Sequence, residues 1–305
     1  MRTSLIRRSS AAITLTAALL IPVVACGGDD SSVDPATTPP AAVTDTTPTA
    51  TEAPAVTEPT AQADPAFTLP VVVYLHQGER LSAVRRHVDT MTTSVTEGTF
   101  EMWLAGPTPD ENAAGYSTTV PPGTRLLSAR SESSIVTVDL SSEFASGGGT
   151  ASVLGRLAEL VMTAATSASV FQGVELLIEG EPVSTFSAEG VVIEGLLTVA
   201  DVEEQLPAIL HDRPLAGDEI TDGSAVRAWA STADGSVAVQ VLDEAGALIH
   251  EQTTPVTCGA GCLGVITAWL ELGDHTGPAT VRIFQVSPDD GGELDLVTVP
   301  VTVAG

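Results

Sequence analysis

Lysine is absent from this 305-residue chain: all 12 basic residues are arginine, against 39 acidic ones, for a formal charge of −27. Its absence removes any Walker-type phosphate lysine, any Schiff-base amine and any Ser-x-x-Lys acylation centre. The shortage of positive charge also argues against nucleic acid as a partner, because phosphate binding needs clustered Lys or Arg. Aromatic residues are sparse too: six Phe, three Trp and two Tyr. Base-stacking platforms and a sugar-binding module that stacks rings on aromatics both fit poorly. The hydrophobic fraction of 43% is nonetheless ample for packed cores. At roughly 100–200 residues per domain, the length allows two domains plus tails.

The first 25 residues read as a secretory signal, with Arg2, Arg7 and Arg8 ahead of an uncharged, largely apolar stretch at 11–25. That stretch is shorter than the about 20 residues that span a bilayer. Val23-Val24-Ala25-Cys26 then leads into Gly27-Gly28. The tetrapeptide resembles the lipobox of bacterial lipoproteins, in which small residues precede a cysteine that becomes the lipid-modified N-terminus. The resemblance implies a lipid on Cys26 and a location on the outer face of a bacterial cytoplasmic membrane. Removal of 1–25 takes three arginines and no acid, moving the charge from −27 to −30. So negative a surface is repelled by anionic headgroups, so acyl chains must provide the attachment. Residues 26–67 combine this N-terminus with a Thr/Pro/Ala-rich segment that has no hydrophobic period, expected to be a disordered tether.

From residue 68 to about 200, apolar patterning returns. Residues 71–75 read as a strand, 81–88 as either a strand or a short helix, and 92–104 as a helix stopped by Gly106-Pro107. Strands are expected at 126–129, 135–140, 174–178 and 183–186. After Gly147-Gly148-Gly149, Thr150 is placed to cap a helix running to about 166, with Val153, Leu154, Leu157, Leu160 and Val161 at helical spacing. Interleaved strands and helices predict an α+β domain.

Several phrases stand in order here: Leu104-Ala105-Gly106-Pro107-Thr108, Val120-Pro121-Pro122-Gly123-Thr124, then the run from Val136 to Phe144, the helix after the glycines, and finally Val174, Gly180, Pro182-Val183 and Phe186. The set resembles the GerMN domain of sporulation and spore-germination proteins and of envelope lipoproteins in non-sporulating bacteria. The resemblance implies a fold similar to the ring-building motifs of secretion and sporulation machines, with no catalytic residues. Plain structural readings stand beside it: Gly106-Pro107 ends a helix, Gly123 supplies a turn and Asp139 bonds backbone at a strand end.

Residues 207–305 change to short strands separated by turns such as Asp234-Gly235, Glu244-Ala245-Gly246 and Asp290-Gly291-Gly292. Strands are expected at 226–230, 237–242, 247–250, 265–270, 281–286 and 296–303, giving an all-β sandwich. Val237, Val239 and Val241 alternate with Ala238, Gln240 and Leu242, so one face should be buried. Ile209, Pro214, Gly217, Ile220, the three valines, Asp243 and Gly246, with the later run Phe284 to Ser287, resemble the immunoglobulin-like domain of bacterial spore-germination proteins. That domain commonly follows GerMN in envelope lipoproteins. The turn Ala233-Asp234-Gly235-Ser236 departs from the family, which usually has a bulkier apolar turn there.

Cys258-Gly259-Ala260-Gly261-Cys262 can be read as a disulfide, a metal pair or a redox motif. Redox pairs usually have two intervening residues, and zinc needs about four ligands where no second pair or His cluster is near. In an exported domain the disulfide is preferred, with about 2 kcal/mol from loop closure. The acidic turn 289–295 lacks the ligand order of an EF-hand loop and reads as a solvated hairpin. His76, His87, His211, His250 and His275 are scattered, and Glu203-Glu204 reads as a solvated interdomain surface. Thus lipid attachment at Cys26 and a Cys258–Cys262 disulfide are expected, with no catalytic, metal or cofactor-binding residue. The functional expectation is a non-enzymatic, membrane-anchored accessory that docks an envelope protein or cell-wall component. The alternative is a cell-wall hydrolase, or a regulator of one.

Overall fold

The computed structural model describes residues 67–168 and 170–305. The signal segment, Cys26 and all of the tether before Phe67 lie outside the described residues. Among the described residues, no helix is long and apolar enough to cross a membrane.

The first lobe opens with a hairpin of β1 (Thr68–Gln77) and β2 (Arg80–Asp89), paired without slippage from Thr68↔Asp89 to Gln77↔Arg80. The ambiguous stretch 81–88 is therefore a strand. Helices α1 (Val95–Leu104) and α2 (Pro109–Ala113) follow, then β3 (Tyr116–Ser117), which adds to β1. A second sheet holds β4 (Leu126–Glu132), β5 (Ile135–Leu140), β6 (Gly173–Ile178) and β7 (Glu181–Pro182), in that order. The β5–β6 pair is parallel, which requires a crossover, and α3 (Thr150–Ser167) supplies it. Short strands β8 (Thr185–Phe186) and β9 (Val191–Val192) close the lobe.

Helix α3 is central. Its buried residues run from Val153 to Ala165 around nearly the whole circumference, as expected for a helix enclosed by other elements. Two of its hydroxyls satisfy β1 backbone: Thr163 Oγ1 accepts from the Tyr74 amide at 3.1 Å, and Thr166 Oγ1 donates to the Val72 carbonyl at 3.0 Å. The helix thereby serves part of the backbone that β1 would otherwise leave unpaired. Thr150 is not its cap, as the sequence led us to expect. The N-cap is Gly149, and Thr150 is the first helical residue, donating to Glu189 at 2.6 Å.

The phrases that carry the resemblance have visible structural roles. Gly106, at φ +69°, ends α1. Thr108 and Glu111 form a capping box on α2, and Glu111 is gripped by both terminal nitrogens of Arg86 at 2.7 Å. Asp139 accepts from the Gly180 amide at 3.0 Å, tying β5 to the β6–β7 turn. Phe144 is fully buried, 5.9 Å from the Trp103 ring and 5.3 Å from that of Phe186.

The second lobe is a two-sheet β-sandwich. Strands β10 (Ile209–Arg213), β11 (Glu219–Ile220), β12 (Ala225–Ala230), β13 (Ser236–Asp243), β14 (Leu248–Pro255), β15 (Gly264–Trp269), β16 (Gly277–Val286) and β17 (Glu293–Val303) divide into sheets β10-β12-β15 and β11-β17-β16-β13-β14. Val237, Val239 and Val241 are fully buried in its core with Ile266, Val281 and Ile283, the face that the alternation predicts. The unusual small turn has a packing reason. A Cβ on Gly235 would come within 2.5 Å of the Ala260 amide nitrogen, and the Gly261 amide bonds the Thr232 carbonyl at 2.8 Å. The Cys258–Cys262 loop lies where a bulkier turn would sit.

Candidate functional site

Three polar arrangements stand out, each assembled from distant parts of the chain. The first is inside the first lobe. Glu159 on α3 is wholly buried and accepts from Trp103 Nε1 (3.1 Å), Thr118 Oγ1 (2.7 Å), and the amide and hydroxyl of Thr119 (2.8 and 2.9 Å). His76 Nε2 is 3.5 Å from Glu159 Oε1. Burial raises the carboxyl above its ordinary value, while the bonds from Thr119 and Thr118 and the charge of His76 oppose that rise. One turn earlier, Arg156, 1% exposed, donates to the carbonyls of Thr119, Phe144, Ser146 and Gly147. Burial lowers its pKa and the charge of Glu159 opposes this. Together the two side chains fasten the segments 118–119 and 144–147 to α3.

The second arrangement joins the lobes. Tyr74, fully buried on β1, donates its hydroxyl to Asp212 Oδ2 of β10 at 3.4 Å. Arg227 of β12 binds the same carboxylate through Nε at 3.0 Å and a terminal nitrogen at 2.7 Å. Burial, then the neighbouring Asp212 charge, pushes the Tyr74 hydroxyl well above its usual pKa, with Arg227 pulling the other way. Nearby, Arg85 of β2 grips Asp218 with two nitrogens. Apolar contacts run alongside: Leu210 and Leu215 belong to the core of the first lobe, with Trp229 and Leu263 packed against it. Glu203, expected on a solvated surface, is half-buried and accepts from Ser231 Oγ at 3.4 Å.

The third is a cleft of about 290 Å³ beside this junction, bounded by the β1–β2 turn, β10 and β17. Gln77, Arg80, Ser82, His211, Asp295 and Thr298 supply its polar lining, and Leu81, Ile209 and Val297 part of its apolar wall. Burial holds the His211 imidazole below its ordinary pKa, partly offset by the Asp212 charge, so it is neutral at pH 7.

Of the residues singled out in the sequence, Cys26 lies outside the described residues. Cys258 and Cys262 form a disulfide in the connection from β14 to β15, with Cα atoms 6.1 Å apart. The acidic turn is a hairpin between β16 and β17, closed by Ser287 N–H to Gly292 O at 2.7 Å and Gly292 N–H to Asp290 Oδ1 at 3.0 Å. The histidines do not converge: His76 meets Glu159, His211 lines the cleft, and His250 accepts from the Glu271 amide at 3.2 Å. Sequence reasoning missed Arg156 and Glu159. Two charges three residues apart on a helix read as a solvated pair, so no local signal marked them as buried.

Comparison with known proteins bears on the first lobe. Residues 72–184 match the Germane family, described as sporulation and spore germination. No curated protein matches the chain. Among solved structures, the tandem GerMN domains of the sporulation protein GerM from Bacillus subtilis share 15% identity at a TM-score of 0.37, over 67% of this chain and 61% of that one. The chain thus spans less than two thirds of that structure. The first GerMN domain of the same protein shares 18% identity at a TM-score of 0.34, covering 44% of this chain and 100% of that one. CopC from Methylosinus trichosporium OB3b shares 19% identity at a TM-score of 0.22, over 30% of this chain and 85% of that one. The chain carries a Germane domain of the sporulation and spore germination family at residues 72–184.

Proposed function

We propose that this protein is a membrane-anchored envelope lipoprotein whose Germane domain docks a protein partner without catalysing a reaction. The observation that carries the reading is the use made of Glu159 and Arg156. Glu159 accepts four hydrogen bonds, and Arg156 donates to four carbonyls, all within the domain. A buried carboxylate and guanidinium partnered in this way rigidify a fold. They hold surface segments in fixed positions, which lowers the ordering cost of binding a partner. The family's description, sporulation and spore germination, supports an accessory role of the germination-associated type. A lipid on Cys26 and a Pro/Thr-rich tether fit the same picture. Confinement at a membrane through the lipid raises effective concentration for a nearby partner.

The second reading, a cell-wall hydrolase, has one observation in its favour. Glu159 and His76 stand 3.5 Å apart, with the carboxyl pKa raised, a combination that general acid–base chemistry uses. The purified full chain and its Glu159→Gln variant, incubated with peptidoglycan and ester substrates, separate the two. Docking predicts no turnover by either protein. Turnover by the wild type that is abolished by Glu159→Gln would assign the hydrolase.

A further inference from the structure

Arginines in the described residues are almost all engaged. Arg85, Arg86, Arg227 and Arg282 pair with Asp218, Glu111, Asp212 and Glu293. Arg125 and Arg130 face Glu143 and Glu132, Arg156 holds backbone carbonyls, and Arg213 acts on Asp218 through its charge. Arg80 and Arg213 make no side-chain ion pair or hydrogen bond among the described residues, and of the two only Arg213 acts on an acid through its charge. In a chain where 39 acids face 12 arginines, a guanidinium without an acid is unexpected. Arg80 lines the cleft beside the lobe junction.

Asp295 lines the same cleft from the other lobe. It sits at φ +53°, a left-handed conformation that Asp and Asn adopt more readily than other side chains. The cause is local. Pairing of β16 with β17 jumps from Ile283↔Val297 to Gln285↔Leu294, so one extra residue is accommodated on β17, and such bulges re-aim side chains. One Asp295 oxygen accepts from Gln285 Nε2 at 3.2 Å. The two opposite charges thus line one cleft without coming within ion-pair distance of each other. Leu81, Ile209 and Val297 add apolar wall there.

We propose that this cleft binds a small apolar dipeptide as its zwitterion, the carboxylate at Arg80 and the ammonium at Asp295. A simple anion would meet Asp295 and the field of a −27 chain, and a simple cation would meet Arg80. A zwitterion carries no net charge and satisfies both groups with charge-assisted hydrogen bonds. In a free α-amino acid the two charges share one carbon. A dipeptide separates them by a peptide unit, which suits side chains that do not reach each other. The volume stands at the lower end of the range for small-ligand clefts, roughly 300–1,000 Å³. This inference is independent of protein docking by the Germane domain.

Titration calorimetry of the full chain with glycyl-leucine, alanyl-leucine and alanyl-valine tests it. At least one should saturate with a Kd of about 1 mM or tighter. Its C-terminal amide and its N-acetyl derivative should each bind at least about tenfold more weakly. Arg80→Met should erase the preference for acid over amide and leave the N-acetyl penalty, and Asp295→Asn should do the reverse. Arg80 is exposed and unpartnered, and Asn tolerates the left-handed backbone, so matching melting curves are expected for both variants. The proposal is overturned if none of the three dipeptides saturates, if the wild type binds acid and amide alike, or if Arg80→Met keeps the preference.

Discussion

Asp212→Ala probes the junction on which the two lobes meet. The substitution removes the acceptor shared by Tyr74 and Arg227. Tyr74 is fully buried, so its hydroxyl is left without a partner, a loss of about 1–3 kcal/mol. Its bond to Asp212 is long at 3.4 Å, which favours the lower half of that range. Arg227 is 39% exposed and recovers water, so its share is close to a surface pair, roughly 0–1 kcal/mol. The sum is a loss of about 1–3 kcal/mol. For a folded part of this size, about 1 kcal/mol moves the midpoint by about 2–4 °C, so Tm should fall by about 2–12 °C. Thermal unfolding followed by circular dichroism measures this directly. The Tyr74→Phe background isolates the hydroxyl: there, Asp212→Ala should cost only the Arg227 share. A midpoint within about 2 °C of the wild type, or an equal loss on the Tyr74→Phe background, would refute the reasoning.

Asp218 provides a pH test. Burial alone would raise its carboxyl, but the bond from Arg85, the Leu215 amide and the charges of Arg85 and Arg213 together hold it below its ordinary value of 3.8. A depressed carboxyl stabilises the fold above its unfolded pKa, and that stability disappears as pH falls through the lower folded value. In urea unfolding, Asp218→Asn should therefore cost about 1 kcal/mol at neutral pH, since Arg85 is 37% exposed, and the gap should close below pH 3.8; a gap independent of pH would contradict it. Gly235→Ala should lose about 2 kcal/mol or more, because the added carbon meets backbone at 2.5 Å and the residue sits at φ +73°; a melting curve superposing on that of the wild type would remove the packing explanation for the small turn. Cys26→Ser should abolish detergent partitioning and an acyl mass shift, and equal membrane retention of both forms would exclude lipid attachment at Cys26.

What the sequence reveals depends on how far each residue's neighbours lie along the chain. The sandwich valines Val237, Val239 and Val241 are legible because alternation is a local signal. The stretch 81–88 is undecided in sequence, since Leu81 and Ala83 alternate while Val84 and Val88 repeat at helical spacing. Ten register pairs with β1 decide it. Strands of two residues, such as β3 and β11, carry no period to read. Arg156 and Glu159 are illegible for a different reason. On a helix they look like a solvated pair, and only the return of 118–119 and 144–147 over that face buries them. The cleft draws on β1–β2, β10 and β17, which no local pattern can bring together. The sequence also treats 68–200 and 207–305 as separate, whereas Leu210 and Leu215 pack into the first core.

The central claim is that the Germane domain docks a protein. Site-specific photocrosslinking in cells tests it most directly, with probes at the exposed positions Met91 and Leu127 of that domain and at Leu248 of the sandwich as a reference. The account predicts one discrete protein adduct from at least one Germane position, absent from Leu248. Probes at Met91 and Leu127 that yield only the uncrosslinked chain, together with peptidoglycan cleavage by the purified protein, would contradict it.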